Sequence, residues 1–386
     1  MIPPSYALRN ILKHKVTSTL TIAGIMLVVF VFAGSLMLSN GLKETLVSTG
    51  NAENVTVIRK SSQTEVQSII SYDQAQIIKS SPEVAKDSEG NPMVANEVYV
   101  LISLPKRTTG DQANVVVRGI SDKSMALRPN VKLIEGRMWE DAGSEIIAGI
   151  SASERFKGCA IGEKVRFGAR DWTVVGLFEA GGTGFESEIW CDIIQAGDAF
   201  NRPVYSSLTL RLADTTLFAA FKEKTEKDPR LPVEVKHEKD YYEAQSRTIS
   251  TFINITGTVI SVIFSLGAIV GAMITMYAAV ANRTREIGTL RALGFSRFSI
   301  LTVFLIEALL ISTFGGVLGV LAAYFLDFVQ ISTTNWDTFS EIVFNFKLSA
   351  GIAIGAIIFS LVMGFVGGFL PAVRASRLKI IDSLRG

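Results

Sequence analysis

The chain has 386 residues, 48% of them hydrophobic and only 19% charged, with a formal net charge of +2. That charge content is too low for an ordinary soluble domain and predicts a membrane protein with a substantial aqueous part. Near-neutrality argues against nucleic acid or any other polyanionic partner.

Residues 1–15 read as a cytoplasmic amphipathic helix. In Ser5–Lys15 (SYALRNILKHK), Ala7, Leu8, Ile11 and Leu12 share one helical face and the basic residues lie on the other, which suits a helix resting on a leaflet. Residues 16–42 are the first transmembrane candidate, free of charge between Lys15 and Lys43 over more than the ~20 residues a span needs. The apolar run exceeds a secretory h-region and no convincing A-x-A site follows, so an uncleaved signal anchor is expected. Gly41–Ser48 continues it outward as a helix with alternating polar groups.

Residues 43–247 are long enough for one or two cores of their own. Strand patterns lie at Asn54–Arg59, Glu97–Leu104, Asn114–Ile120, Trp172–Phe178, Ser207–Leu212 and Val233–Lys236. Helical periodicity appears at Tyr72–Lys79, with Ser81-Pro82 as its stop, and at Thr215–Lys227. The order predicts two subdomains: a membrane-proximal part of about 50–110 and 203–245, and a distal insert of about 113–200. The run Ala180–Gly184 (AGGTG) lacks the G-x-x-x-x-G-K-[ST] spacing of a phosphate loop and reads as a flexible surface loop. Glu186 and Glu188 read as a solvated strand face. No Ser/His/Asp or Cys/His set is present, so no catalytic or cofactor-binding residue is expected. Cys159 and Cys191 leave a disulfide and two buried thiols equally open. His14 and His237 fall on opposite sides of the membrane, so no metal site is expected.

Spans two, three and four are predicted at 248–281, 298–326 and 348–373. Between two and three, residues 282–297 form a short cationic loop (Arg283, Arg285, Arg291, Arg297) with helical spacing. Residues 327–347 are a short acidic extracytoplasmic connection, and 374–386 a basic tail. The Lys/Arg distribution puts both termini and the 282–297 loop in the cytoplasm and 43–247 outside. Glycine pairs at four-residue spacing (Gly267/Gly271, Gly315/Gly319, Gly351/Gly355, Gly364/Gly368) predict close helix packing within one bundle. Glu307 lies roughly 15 Å into span three by helical rise. A carboxyl at that depth must be paired or protonated. A hinge responding to the cytoplasmic loop and a carboxyl satisfied by a neighbouring Ser or Thr are both open.

Taken together, four pieces resemble the permeases of MacB/FtsX-type (type VII, mechanotransmitting) ABC transporters: ALRNILKHKVTSTLTIAGIMLVV, LIEGRMW…EIIAGISASERF…IGEKVRFGARDWTVVGLFE, NRTREIGTLRALGFSRFSILTVFLIEALLIS and GFLPAVRASRLKIIDSLR. The resemblance covers nearly the whole chain. It implies an α-helical membrane protein with four transmembrane helices and a large α+β extracytoplasmic domain like the MacB periplasmic core. It also implies a dimer, or a pair with a paralogue, and a cytoplasmic ABC ATPase dimer. Carried over residue by residue, Arg285, Glu286, Ile287, Gly288, Arg291, Ala292, Leu293 and Gly294 match the coupling segment, and the stretch Arg283–Gly294 is expected to dock in a groove of that ATPase. Glu307 matches the family's glutamate. The chain has no Walker A run, whereas the family's namesake carries a fused ATPase; the resemblance therefore implies that ATP and Mg are bound by the partner and not by this chain. The leading expectation is efflux with a periplasmic adaptor and an outer-membrane channel. Lipoprotein or lipid extraction from the inner membrane, and FtsX-like regulation of a cell-wall hydrolase, are the alternatives.

Overall fold

The computed structural model describes residues 15–140 and 143–379. The amphipathic helix expected before residue 15 and the end of the basic tail lie outside the described residues. The chain divides into two compact units, with boundaries between Gly41 and Leu42, Ser250 and Thr251, Val329 and Gln330, and Phe344 and Asn345.

Four helices among the described residues are long and apolar enough to cross a membrane: α1 (Lys15–Thr49), α7 (Glu238–Asn282), α9 (Arg297–Tyr324) and α10 (Ala350–Ser376). In the membrane unit, α9 packs along α1 and α10 through small residues. A Cβ added at Gly315 would lie 3.1 Å from the Ile22 carbonyl oxygen, and one at Gly319 2.8 Å from that of Met26. On the other side of α9, Gly364 faces Ser312 and Gly368 faces Ala308. Val29, Ala33 and Met37 of α1 close a core with Ile311 and Ala323 of α9 and Ala356 and Met363 of α10. Gly267 and Gly271 do not take part, contrary to the sequence expectation. Neither they nor Gly355 has any neighbour within 4 Å of an added Cβ, and Gly351 meets only Ser349 of its own cap. Gly267 and Gly271 instead line a groove of about 460 Å³ beside Leu20, Gly24 and Leu27 of α1.

The extracytoplasmic unit is built on a ten-stranded mixed sheet. Its strands and helices run β1 (Asn54–Arg59), α2 (Tyr72–Lys79), β2 (Val94–Pro105), β3 (Gln112–Ile120), α3 (Lys123–Leu127), β4 (Lys132–Gly136), β5 (Glu145–Gly149), α4 (Ile150–Arg155), β6 (Lys164–Phe167), β7 (Arg170–Glu179), β8 (Glu188–Asp192), α5 (Ile193–Ala199), β9 (Ser207–Arg211), α6 (Phe218–Lys227) and β10 (Val233–His237). The sheet order is β10-β1-β9-β2-β3-β8-β5-β7-β4, with β6 on β7. The segments expected as proximal and distal subdomains share this sheet, joined where β2 and β3 pair antiparallel from Glu97↔Ile120 to Pro105↔Gln112. Each end has its own core. Val57, Leu208, Leu210 and Val235 pack with Ile78 and Phe221 of α2 and α6. At the other end, Val115, Val117, Ile146 and Ile189 pack with Trp172, Cys159 and Cys191. Both cysteines are free, buried thiols, so the disulfide left open by the sequence is not formed. Burial pushes the Cys159 thiol up to about 12, which makes it an inert core residue.

The 327–347 connection is more than a loop. It folds as a hairpin of β11 (Gln330–Thr334) and β12 (Glu341–Asn345) that belongs to the extracytoplasmic unit. Buried Glu341 bonds Lys106 at 2.7 Å and Arg155 at 2.8 Å, and the Val343 amide donates to Ser187 Oγ. β11 (QISTT) is short and polar and β12 (EIVFN) is a short apolar run; neither alternates, which is why the pattern did not announce them.

Candidate functional site

The cytoplasmic stretch between spans two and three contains a helix, α8 (Thr284–Ala292), held in place at both ends. Glu286 in its first turn and Arg291 in its last complement the helix dipole. Beyond it the chain reverses through Gly294, whose φ of 94° lies in the left-handed region. The Gly294 and Phe295 amides donate to the Arg291 and Leu290 carbonyls, the paired bonds of a Schellman ending. Ser296 then caps α9 by accepting from the Ser299 amide at 3.1 Å. The sequence Leu-Gly-Phe-Ser thus encodes a fixed turn that returns the chain into the membrane.

The helix presents two different faces. Ile287 is buried with Met276, Val280, Ile300, Val303 and Ala372, drawn from α7, α9 and α10, with Leu290 packed against them. The opposite face leaves Arg285, Glu286, Thr289, Ala292, Leu293 and Gly294 exposed, Leu293 at 73%.

Arg283, at the N-cap, turns inward. Arg283 and Glu307 of α9 are each 4% exposed, and Arg283 Nη1 donates to Glu307 Oε2 at 3.0 Å. Its Nε reaches Glu286 at 3.3 Å, and its guanidinium carbon lies 4.9 Å from the Phe304 ring centre. Phe304, Glu307, Ala308 and Ile311 recur at helical spacing, so one face of α9 supplies both the ring and the carboxylate. The expectation for Arg283 is corrected here: its side chain is an internal anchor, not part of the exposed docking face. For Glu307, the partner is an arginine of the cytoplasmic segment, and not the Ser or Thr considered from sequence. Breaking such a buried pair by removing one partner costs roughly 3–5 kcal/mol, because the other charge is stranded.

A second constellation lies in the extracytoplasmic unit. Arg118 of β3 is fully buried, with Nε and Nη2 on Glu188 at 2.7 and 2.8 Å and Nη1 on Glu65 at 2.9 Å and Glu97 at 2.7 Å. Arg128 bonds Glu97 and reaches Glu238, the first residue of α7, at 3.2 Å. Glu238 also accepts from the Asn51 amide and Asn54 Nδ2, both at 2.9 Å. Glu188 is therefore not on a solvated strand face as the sequence suggested; alternation cannot reveal a guanidinium contributed by another strand. Glu186 accepts from the Ala180 and Gly182 amides, so the AGGTG loop is tied down by its own chain. Those donors are occupied, which removes a phosphate cradle from consideration. Among the described residues no cluster of three or more His, Cys, Asp or Glu side chains could hold a metal ion.

Comparison with known proteins bears on both halves. The profile of the MacB-like periplasmic core domain matches residues 18–228, and that of the FtsX-like permease C-terminal region matches residues 258–380. The ABC transporter permease YknZ of Bacillus subtilis is 25% identical over 98% of this chain and 97% of its own length. The macrolide export ATP-binding/permease protein MacB of Burkholderia cenocepacia is 31% identical over 51% of this chain and 28% of that protein. MacB of Neisseria gonorrhoeae is 26% identical over 98% of this chain and 60% of its own length. The chain thus spans from 28% to 60% of the length of these macrolide-export relatives. Among solved structures, the YknZ extracellular domain aligns with 14% identity and a TM-score of 0.35, over 47% of this chain and 99% of that one. The periplasmic region of MacB from Actinobacillus actinomycetemcomitans aligns with 12% identity and a TM-score of 0.38, over 52% and 95%.

Proposed function

This chain belongs to the MacB/FtsX-type family of ABC-transporter permeases, and we propose that it is the membrane half of a machine whose ATP is hydrolysed by a separate cytoplasmic ATPase. The observation that carries this reading is the two-faced helix α8. Its outer face offers Arg285, Glu286 and Leu293 to a partner, while its inner face is fixed to the bundle by Ile287 and by the Arg283–Glu307 pair. Force applied to the outer face is delivered to the middle of α9 through a buried ion pair rather than dissipated in a loose loop.

Two copies of the chain, or this chain and a paralogue, would work with an ATPase dimer. ATP binding would draw the cytoplasmic helix ends together, and the continuous helices α1 and α7 would carry that motion across the membrane. Export is the best-supported task, because relatives matching most of this chain are named as macrolide exporters. A periplasmic adaptor and, where the envelope has one, an outer-membrane channel would complete the path for a substrate already outside the inner membrane.

The test is purification of the tagged full chain with its ATPase. Leu293→Glu alters a side chain that touches little of its own protomer, so folding should be unchanged. It should lower ATPase recovery about tenfold or more, a loss of ~1.4 kcal/mol in binding. Wild-type recovery of the ATPase with Leu293→Glu would overturn the docking assignment.

A further inference from the structure

A pocket of about 230 Å³ opens in the extracytoplasmic unit between α2 and α5. Its walls include Tyr72, the first residue of α2, and Tyr205, with ring centres 4.8 Å apart. Ile194 at the mouth is 71% exposed and Tyr72 50%. Apolar side chains left this open around a concavity are the usual wall of a small-ligand site.

The remaining wall is set by the way α5 ends. Asn201 takes a left-handed φ of 48°, and the Asn201 and Arg202 amides donate to the Asp198 and Gly197 carbonyls. This Schellman ending fixes the backbone of Arg202 at the pocket. The half-buried guanidinium donates to the main-chain carbonyls of Tyr99 at 3.2 Å, Ser68 at 2.9 Å and Val66 at 3.4 Å. No carboxylate of the described residues pairs with it. Burial, with no anion to offset it, pulls its pKa below the usual arginine value. Asp198, exposed, also lines the pocket, and its negative charge opposes an anion bound there.

We propose that this pocket binds the free carboxylate of a ligand with a small apolar or aromatic body. The carboxylate accepts from Arg202 through Nε–H or the remaining Nη1–H, since the carbonyl bonds take the other donors, and the body rests among Tyr72, Tyr205 and Ile194. A single guanidinium suits one negative charge rather than a phosphate dianion. The ligand is a free small carboxylic acid or the C-terminus of a peptide chain; the chemistry recognised is the same.

The test uses the full chain in detergent micelles, with N-acetylphenylalanine, its C-terminal amide, and a hexapeptide ending in phenylalanine as probes in ligand-observed NMR titrations. Saturable binding of the acid is expected, with the amide weaker by about tenfold or more. Arg202→Gln should abolish binding of the acid. If that variant does not fold, exposed Asp198→Asn decides the matter: removing the opposing charge should tighten the acid and leave the amide unchanged. Tighter binding of the hexapeptide than of the acetylated residue assigns the site to a chain terminus, and equal or weaker binding assigns it to a small molecule. Equal binding of acid and amide, no saturable binding of either acid probe, or no tightening by Asp198→Asn would overturn the proposal.

Discussion

Four carboxylates and two guanidiniums share one buried site in the extracytoplasmic unit, so charge cannot balance there if every carboxyl is ionised. Burial raises Glu188 and Glu238 above the usual carboxylate value despite their arginine partners. Burial opposes ionisation of Glu97 as well, but the charges of Arg128 and Arg118 outweigh it and hold that group low. For Glu188 and Glu238 the native state holds the proton more tightly than the unfolded chain. The stability this supplies is complete below the ordinary carboxylate range and is lost as pH rises through the raised native value. Glu97 works oppositely, supplying stability above that range and losing it as pH falls. The thermal midpoint of the chain in detergent should therefore decline as pH rises above the ordinary carboxylate range. Glu238→Gln, which keeps the protonated shape, should flatten that decline. An unchanged slope in Glu238→Gln would place the titrating group elsewhere. None of this pairing was legible in the sequence, where Glu65, Arg118, Glu188 and Glu238 stand far apart and look like surface charge. Glu307 was legible as an anomaly, because a carboxylate inside an apolar run must be compensated. Its partner was not, since nothing in the sequence distinguishes Arg283 from its neighbours Arg285 and Arg291.

At the scale of elements, the spans, the strand β1 and the helix α2 stood out in the sequence because apolar length, β-branched runs, helical periodicity and the Ser81-Pro82 stop are local signals. Packing is a relation between elements, and equal spacing hid unequal roles among the glycines. Gly364 meets Ser312 and the Ala308 carbonyl of α9, whereas Gly271 meets nothing within 4 Å. Gly364→Val should overpack the α9–α10 contact and destabilise the bundle by about 1–3 kcal/mol. Gly271→Val should leave the protomer's unfolding unchanged. Thermal unfolding of the two variants in detergent measures both, and equal losses would mean that the α7 face is packed after all. The β11–β12 hairpin shows the same limit from the other side. Its place depends on Glu341 meeting Lys106 and Arg155, residues some two hundred positions away.

At the scale of the whole molecule, four chain passages join the membrane unit to the extracytoplasmic unit. Two of them, within α1 and α7, are uninterrupted helix, and the other two are the ends of the hairpin. This connectivity suits a protein that passes mechanical work across the bilayer, and the energy is proposed to enter at α8. Hydrogen–deuterium exchange on the chain in complex with its ATPase, compared with ATP and with ADP bound, reads the transmission directly. For the wild-type chain, exchange should change with nucleotide both in α8 and in residues 330–345. For Glu307→Gln, which removes the Arg283–Glu307 ion pair while leaving Leu293 exposed, the ATPase should still bind and α8 should still respond, but the response at 330–345 should be lost. A Glu307→Gln complex whose hairpin responds to ATP as fully as the wild type would contradict transmission through the Arg283–Glu307 pair.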